Sequence, residues 1–101
     1  MLPEKVKIGW KNYVVEQKEA VLVENNGCYG CIDYDETIIC LRKENSPEQN
    51  EATLLHEIIH GVSEMYSLAF DEAVVTRLAD ALYTVARDNG FKLFEGEVKK
   101  E

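Results

Sequence analysis

The stretch Glu51-Ala-Thr-Leu-Leu-His-Glu-Ile-Ile-His-Gly-Val-Ser-Glu64 decides how the rest of the chain is read. Its apolar residues recur at helical spacing. With His56 at 0° on a 3.6-residue wheel, Leu54, Leu55, Ile58, Ile59, Val62 and Met65 cluster around roughly 160–300°. His56 and His60 fall near roughly 0–40°, on the far side with Thr53, Ser63 and Ser67. The apolar stripe is expected to anchor a helix whose histidines face a cleft or solvent.

Two histidines four positions apart stand one above the other on a helix, so both imidazoles can reach a single ion. They are the only two histidines in the chain. Glu57 lies about 100° around from His56, beside such an ion. That is where a general base takes a proton from metal-bound water. By composition alone, His-Glu-x-x-His arises on the order of once in a few hundred chains of this length. That rarity and the helical context outweigh the alternative of two solvated histidines on an amphipathic helix. The pattern is that of a zinc hydrolase helix, with one Zn2+ per chain.

Just ahead of the stretch, Ser46-Pro47-Glu48-Gln49 starts this helix: Ser46 caps it, Pro47 fits the first helical position, and Gln49 completes a capping box. The helix is expected over 46–67. A second follows over 71–89, capped by Asp71, with Phe70 stapled onto Val75 and Asn89-Gly90 as the stop. Val74, Val75, Leu78, Ala81, Leu82 and Val85 form its expected apolar face. The tail, 90–101, docks briefly through Phe91-Lys-Leu-Phe94 before fraying.

Upstream, residues 1–45 read as strands. Val6, Ile8 and Trp10 alternate with Lys5, Lys7 and Gly9, and Lys11-Asn12 turns the chain into Tyr13-Val14-Val15. Residues 18–26 suggest a bend or partial strand. Cys28–Asp33 and Thr37–Leu41 are two further strands about a turn at Tyr34-Asp35-Glu36, the second rich in β-branched residues. Strands first and helices second predict an α+β fold, a small antiparallel sheet packed on two main helices.

With 101 residues, one small domain is expected. The net charge of −8 and the lack of a basic run argue against direct nucleic-acid binding. No apolar run approaches membrane-spanning length, and Met-Leu-Pro-Glu-Lys-Val-Lys lacks the apolar core of a signal peptide. With three cysteines in no disulfide-rich pattern, a cytoplasmic setting follows. The Cys28-x-x-Cys31 pair and Cys40 read as small buried thiols, because no second ligand pair is present. Asp33, Asp35 and Glu36 lack the spacing of a calcium loop and read as a polar turn.

A catalytic zinc needs a third protein ligand and an open position. With no other histidine, that ligand should be a carboxylate, and Glu64, Asp71, Glu72 and Asp80 are the nearby candidates. Glu64 sits about 40° further around the wheel than His60, Asp71 is better used as the cap, and Asp80 points away from the apolar face. Glu72 opens the second helix in line with Ala79 and Ala86, whose small size lets the helices approach closely. The reading favours Glu72.

Thr-Leu-Leu-His56-Glu57-Ile-Ile-His60-Gly, a short loop, then Asp-Glu72-Ala-Val-Val-Thr-Arg-Leu-Ala79-Asp-Ala-Leu82 resembles the ImmA/IrrE-type (DUF955-like) zinc metallopeptidases. These are gluzincin-like proteins of phages and other mobile elements. Glu72, Val75, Leu78 and Ala79 fit the spacing of their second helix, and Gly-Cys-Ile-Asp-Tyr-Asp-Glu-Thr-Ile-Ile resembles the strand pair before the active helix. The likeness spans about residues 28–86. It departs in the short gap from His60 to Glu72 and in lacking the Met-Pro that follows the second helix in many relatives. The metzincin pattern is excluded, because its glycine and third histidine are replaced by Ser63 and Tyr66.

The resemblance implies a minimal zincin-like metallopeptidase with His56, His60 and Glu72 as metal ligands and Glu57 as general base. Its substrate would be a protein or peptide, such as a regulatory protein of the phage or mobile element. An extended substrate would pair with an exposed sheet edge, expected at Thr37–Leu41. Tyr83, close to Glu72 on the second helix's wheel, is a candidate contact for the oxyanion. The alternative is a non-catalytic zincin-fold module that keeps the fold, with or without the metal, and acts by metal binding or by binding a protein partner.

Overall fold

The computed structural model describes residues 2–94 and has the element order β1 (Lys5–Ile8), β2 (Lys11–Lys18), β3 (Leu22–Val23), β4 (Asn26–Gly27), β5 (Gly30–Asp33), β6 (Ile38–Arg42), α1 (Pro47–Met65) and α2 (Glu72–Asn89). It is an α+β fold. The β1–β2 hairpin turns at Gly9-Trp10, two residues before the expected Lys11-Asn12. Gly9 has φ +62°, the left-handed conformation that tight hairpin turns demand. A Cβ there would also lie 2.5 Å from Met65 Cγ. Trp10 is carried out into solvent by this turn.

The sheet is mixed, not antiparallel throughout. Its order is β1-β2-β6-β5, and β2 pairs with β6 in parallel, Val14 opposite Ile38 through Lys18 opposite Arg42. The outer pairs, β1–β2 and β5–β6, are antiparallel. The reason is the path between β2 and β6. The ambiguous 18–26 segment becomes the small β3–β4 hairpin, and the chain returns as the outer strand β5 before turning inward. Asp33 Oδ1 accepts from the backbone N–H groups of Asp35 and Glu36, which shapes that turn. Thr37–Leu41 is consequently central, and the open edge beside the helices is β5.

α1 lies on the sheet against β1, β5 and β6, and α2 packs on α1. The first core cluster, Ile8, Tyr13, Ile39, Leu41 and Leu54, fills the sheet–α1 layer. The second, Leu55, Ile59, Val75 and Ala79, fills the α1–α2 layer, with Phe70 packed against it. At Gly61 the helix comes so close to the sheet that a Cβ would sit 2.7 Å from Ile8 Cδ1.

Ser46 caps α1, its Oγ accepting from Gln49 N at 3.1 Å. The capping box is only half formed, because the Gln49 amide donates instead to Thr53 Oγ1. α1 ends at Met65, short of Ser67, and the chain turns through Ser67 and Ala69 at positive φ. Asp71 caps α2, and Gly90 at φ +74° ends it.

The expected apolar face of α2 is not the one that packs. Val75, Ala79 and Ala86 are buried, whereas Val74, Leu78, Ala81, Leu82 and Val85 are exposed. The sheet therefore covers one helix and not two. In the tail, Phe94 docks on both core clusters, and 95–101 lie outside the described residues. Among the described residues, no helix is long and apolar enough to cross a membrane.

Candidate metal centre

α1 turns its apolar stripe inward and presents His56 and His60 on the flank that faces α2. Their rings lie 5.0 Å apart, centroid to centroid. The short loop after α1 and the Asp71 cap deliver Glu72 as the first residue of α2. Its carboxylate spans both imidazoles: Oε2 lies 3.0 Å from His56 Nε2, and Oε1 lies 2.8 Å from His60 Nε2. Thr76 Oγ1, one turn on, donates to Oε2 at 3.3 Å.

These three side chains each offer one donor atom, all within 4.8 Å of one another, and could hold a metal ion. Tetrahedral ligands about 2.0 Å from a zinc ion lie about 3.3 Å apart. The two N···O separations, 3.0 and 2.8 Å, are close to that value, and the third pair of donor atoms lies within 4.8 Å. Two imidazoles and one carboxylate also match the donor preference of zinc. The Glu72 carboxylate is 67% exposed, which leaves the outer side of the group open. The residues fit the ion.

The group borders a cavity of about 590 Å³. Glu57 lines it from α1, yet only 7% of the residue is exposed. Burial, and secondarily the negative charge of Glu72, push its carboxyl up from 4.5 to about 7. A buried carboxyl with raised proton affinity beside a metal-binding group has the character of a general base.

The other carboxylates are elsewhere engaged. Glu64 pairs with Lys11 at 3.6 Å, and Asp71 accepts from Val74 N. Asp80 lines the cavity but does not join the three-residue group. Tyr83 does not line the cavity. Its hydroxyl donates to Glu51 Oε1 at 3.2 Å, near the start of α1.

Two other tyrosines line the cavity, Tyr29 and Tyr34, and Tyr34, in the turn between β5 and β6, is the one whose phenol feels the charges of Glu57 and Glu72. Burial, then the charges of Glu57, Glu64 and Glu72, push its phenol up, so it stays protonated as a hydrogen-bond donor. Lys11 Nζ donates to the Tyr34 carbonyl at 3.0 Å and steadies the turn. No sequence signal marks this residue, since only the β5–β6 turn brings it to α1.

Cys28 and Cys31 form part of the cavity wall. Burial first, then the neighbouring Cys40 and Glu57, push the Cys31 thiol up to about 11. It is therefore a protonated, unreactive thiol, in keeping with the reading of a small apolar residue. Gly30, Cys31 and Ile32 of the open edge strand β5 line the same cavity, so main-chain hydrogen-bonding groups run past the metal-binding group. No family model, curated protein or solved structure matches the chain.

Proposed function

We propose that the chain is a zinc-dependent peptidase. The observation that carries this reading is the convergence of His56, His60 and Glu72 on one point, with the buried Glu57 carboxyl in the same cavity. The resemblance of the two-helix motif to the ImmA/IrrE-type enzymes supports it. A bound zinc supplies Lewis acidity, which polarises a peptide carbonyl and acidifies a water molecule. Glu57 takes the proton from that water and returns it to the departing amine nitrogen. Tyr34 donates a hydrogen bond to the carbonyl oxygen as negative charge develops there.

An extended peptide is held by pairing along the open edge of β5, past the metal ligands. This edge takes the role expected of Thr37–Leu41. The three free cysteines fit a reducing compartment, and we place the enzyme in the cytoplasm, acting on a protein such as a regulator of its phage or mobile element.

The test is metal content and peptide cleavage in parallel. About one zinc per chain, lost in His60→Ala and Glu72→Ala but kept in Glu57→Gln, is expected, with proteolysis lost in all three. Metal bound at this stoichiometry with no cleavage across a peptide library would favour the non-catalytic binding module. Absence of metal after reconstitution would overturn the peptidase reading and leave the metal-free binding module.

A further inference from the structure

The outward face of α2 carries Val74, Leu78, Ala81, Leu82 and Val85, all exposed. With Leu78 at 0°, these five span roughly −60° to +40° of the helix, and no charged residue falls among them. The buried contact with α1, made by Val75, Ala79 and Ala86, lies at roughly 60–100°. Most of the larger side chains of this amphipathic helix thus point away from its own core. Phe91 and Leu93, also exposed, line a separate hollow with Glu51, Ala86 and Arg87.

The free edge of this stripe carries two charges of opposite sign, Arg77 near −100° and Asp88 near −80°, three turns apart. The helix's remaining charged side chains lie elsewhere: Asp80 and Arg87 on the back, and Glu72 at the metal centre. We propose that this face pairs with a second copy of itself, the two α2 helices antiparallel across a two-fold axis beside Leu82.

Self-complementarity carries the inference. An axis at that position sets Leu82 against its own counterpart and Leu78 against Val85 of the second copy. The same axis brings Arg77 of each copy opposite Asp88 of the other, and no like-charge pair falls across it. One symmetry operation satisfies the apolar and ionic requirements together, as an isologous interface must. The pair that Asp88 makes with Arg87 in its own chain is solvent-exposed and free to rearrange.

Size sets the strength. From Val74 to Val85 the stripe occupies about 17 Å of helix and about 10 Å of width on each copy. That is below the size of stable interfaces, so assembly is expected to be weak, at hundreds of micromolar. The metal group lies on the flank of α2 that faces α1, so pairing leaves the cavity accessible.

Sedimentation of the full chain, in chelator and from about 1 to 500 μM, tests this. The weight-average mass should rise from 11.5 kDa towards twice that value. Leu82→Lys should weaken the dimer at least about tenfold while the far-UV spectrum and melting temperature hold, because the side chain is exposed in the monomer. Arg77→Asp and Asp88→Arg should each weaken it, and the double exchange should restore it. A wild type that stays monomeric overturns the proposal, as does a dimer indifferent to Leu82→Lys. Loss on Leu82→Lys with no rescue by the double exchange overturns the antiparallel pairing.

Discussion

Burial holds the Glu57 carboxyl at about 7, against 4.5 for the same group in water. In the metal-free protein the folded state therefore keeps a proton that the unfolded chain releases between those values. Stability falls as pH rises through that window, and above pH 7 the cost is complete, about 2–3 kcal/mol. Glu57→Gln carries no such charge. In urea unfolding with chelator it should exceed the wild type by about that margin at pH 8 and match it at pH 4. A margin that persists at pH 4 would mean the amide stabilises by another route.

Tyr34 and Tyr83 separate on a different measurement. Tyr34→Phe should lower kcat about 100-fold, with zinc content and KM unchanged. Tyr83→Phe loses its hydrogen bond to Glu51, so it should change stability by about 1 kcal/mol and leave the rate alone. The reverse pattern would return Tyr83 to the site. At this scale, what was legible depended on sequence distance. His56, Glu57 and His60 are set by one turn of helix, and Glu72 by one short loop. Tyr34 lies two elements upstream, and nothing in its neighbourhood marks it.

Among the elements, the start of α2 ties folding to the site. Asp71 Oδ1 accepts from Val74 N at 2.9 Å, and the next residue is Glu72, one of the three that could hold a metal ion. Asp71→Ala should cost about 1 kcal/mol through the lost cap. Because the first turn would then fray, zinc affinity should fall several-fold as well. Asp71→Asn, which keeps the acceptor, should restore both. An Asp71→Ala protein that loses stability but binds zinc as before would detach the cap from the ligand.

Helix starts and stops were readable because caps act locally: Ser46, Asp71 and Gly90 each sit where their chemistry places them. Strand partners were not. Alternation marks a strand and its two faces, but the parallel β2–β6 pair follows from an intervening hairpin and an outer strand, which no local pattern encodes. On α2 the small Ala79 and Ala86 read as the line of close helix approach and are buried with Val75, whereas the rest of the face to which hydrophobicity gives most weight, Leu78, Leu82 and the other valines, stays exposed.

At the scale of the molecule, the metal group joins two helices that share a modest interface. Leu55 and Ile59 of α1 meet Val75 and Ala79 of α2, and Phe70 and Phe94 close the sides. A cation held by His56 and His60 from one helix and Glu72 from the other adds a cross-link that the unfolded chain cannot make. Binding to the folded state alone stabilises by about 2.7 kcal/mol when free metal is 100 times its Kd. For a domain of this size, each kcal/mol moves the melting temperature by about 4–8 °C. Zinc should therefore raise it by about 10–20 °C over the chelated protein. The melt belongs at low micromolar protein, so that self-association contributes little. His60→Ala and Glu72→Ala should lose most of that shift, whereas Glu57→Gln, which removes no ligand, should keep it. A full shift in Glu72→Ala would remove Glu72 from the ligand set. The same shift in all three variants would mean that zinc stabilises the chain from somewhere other than this pair of helices.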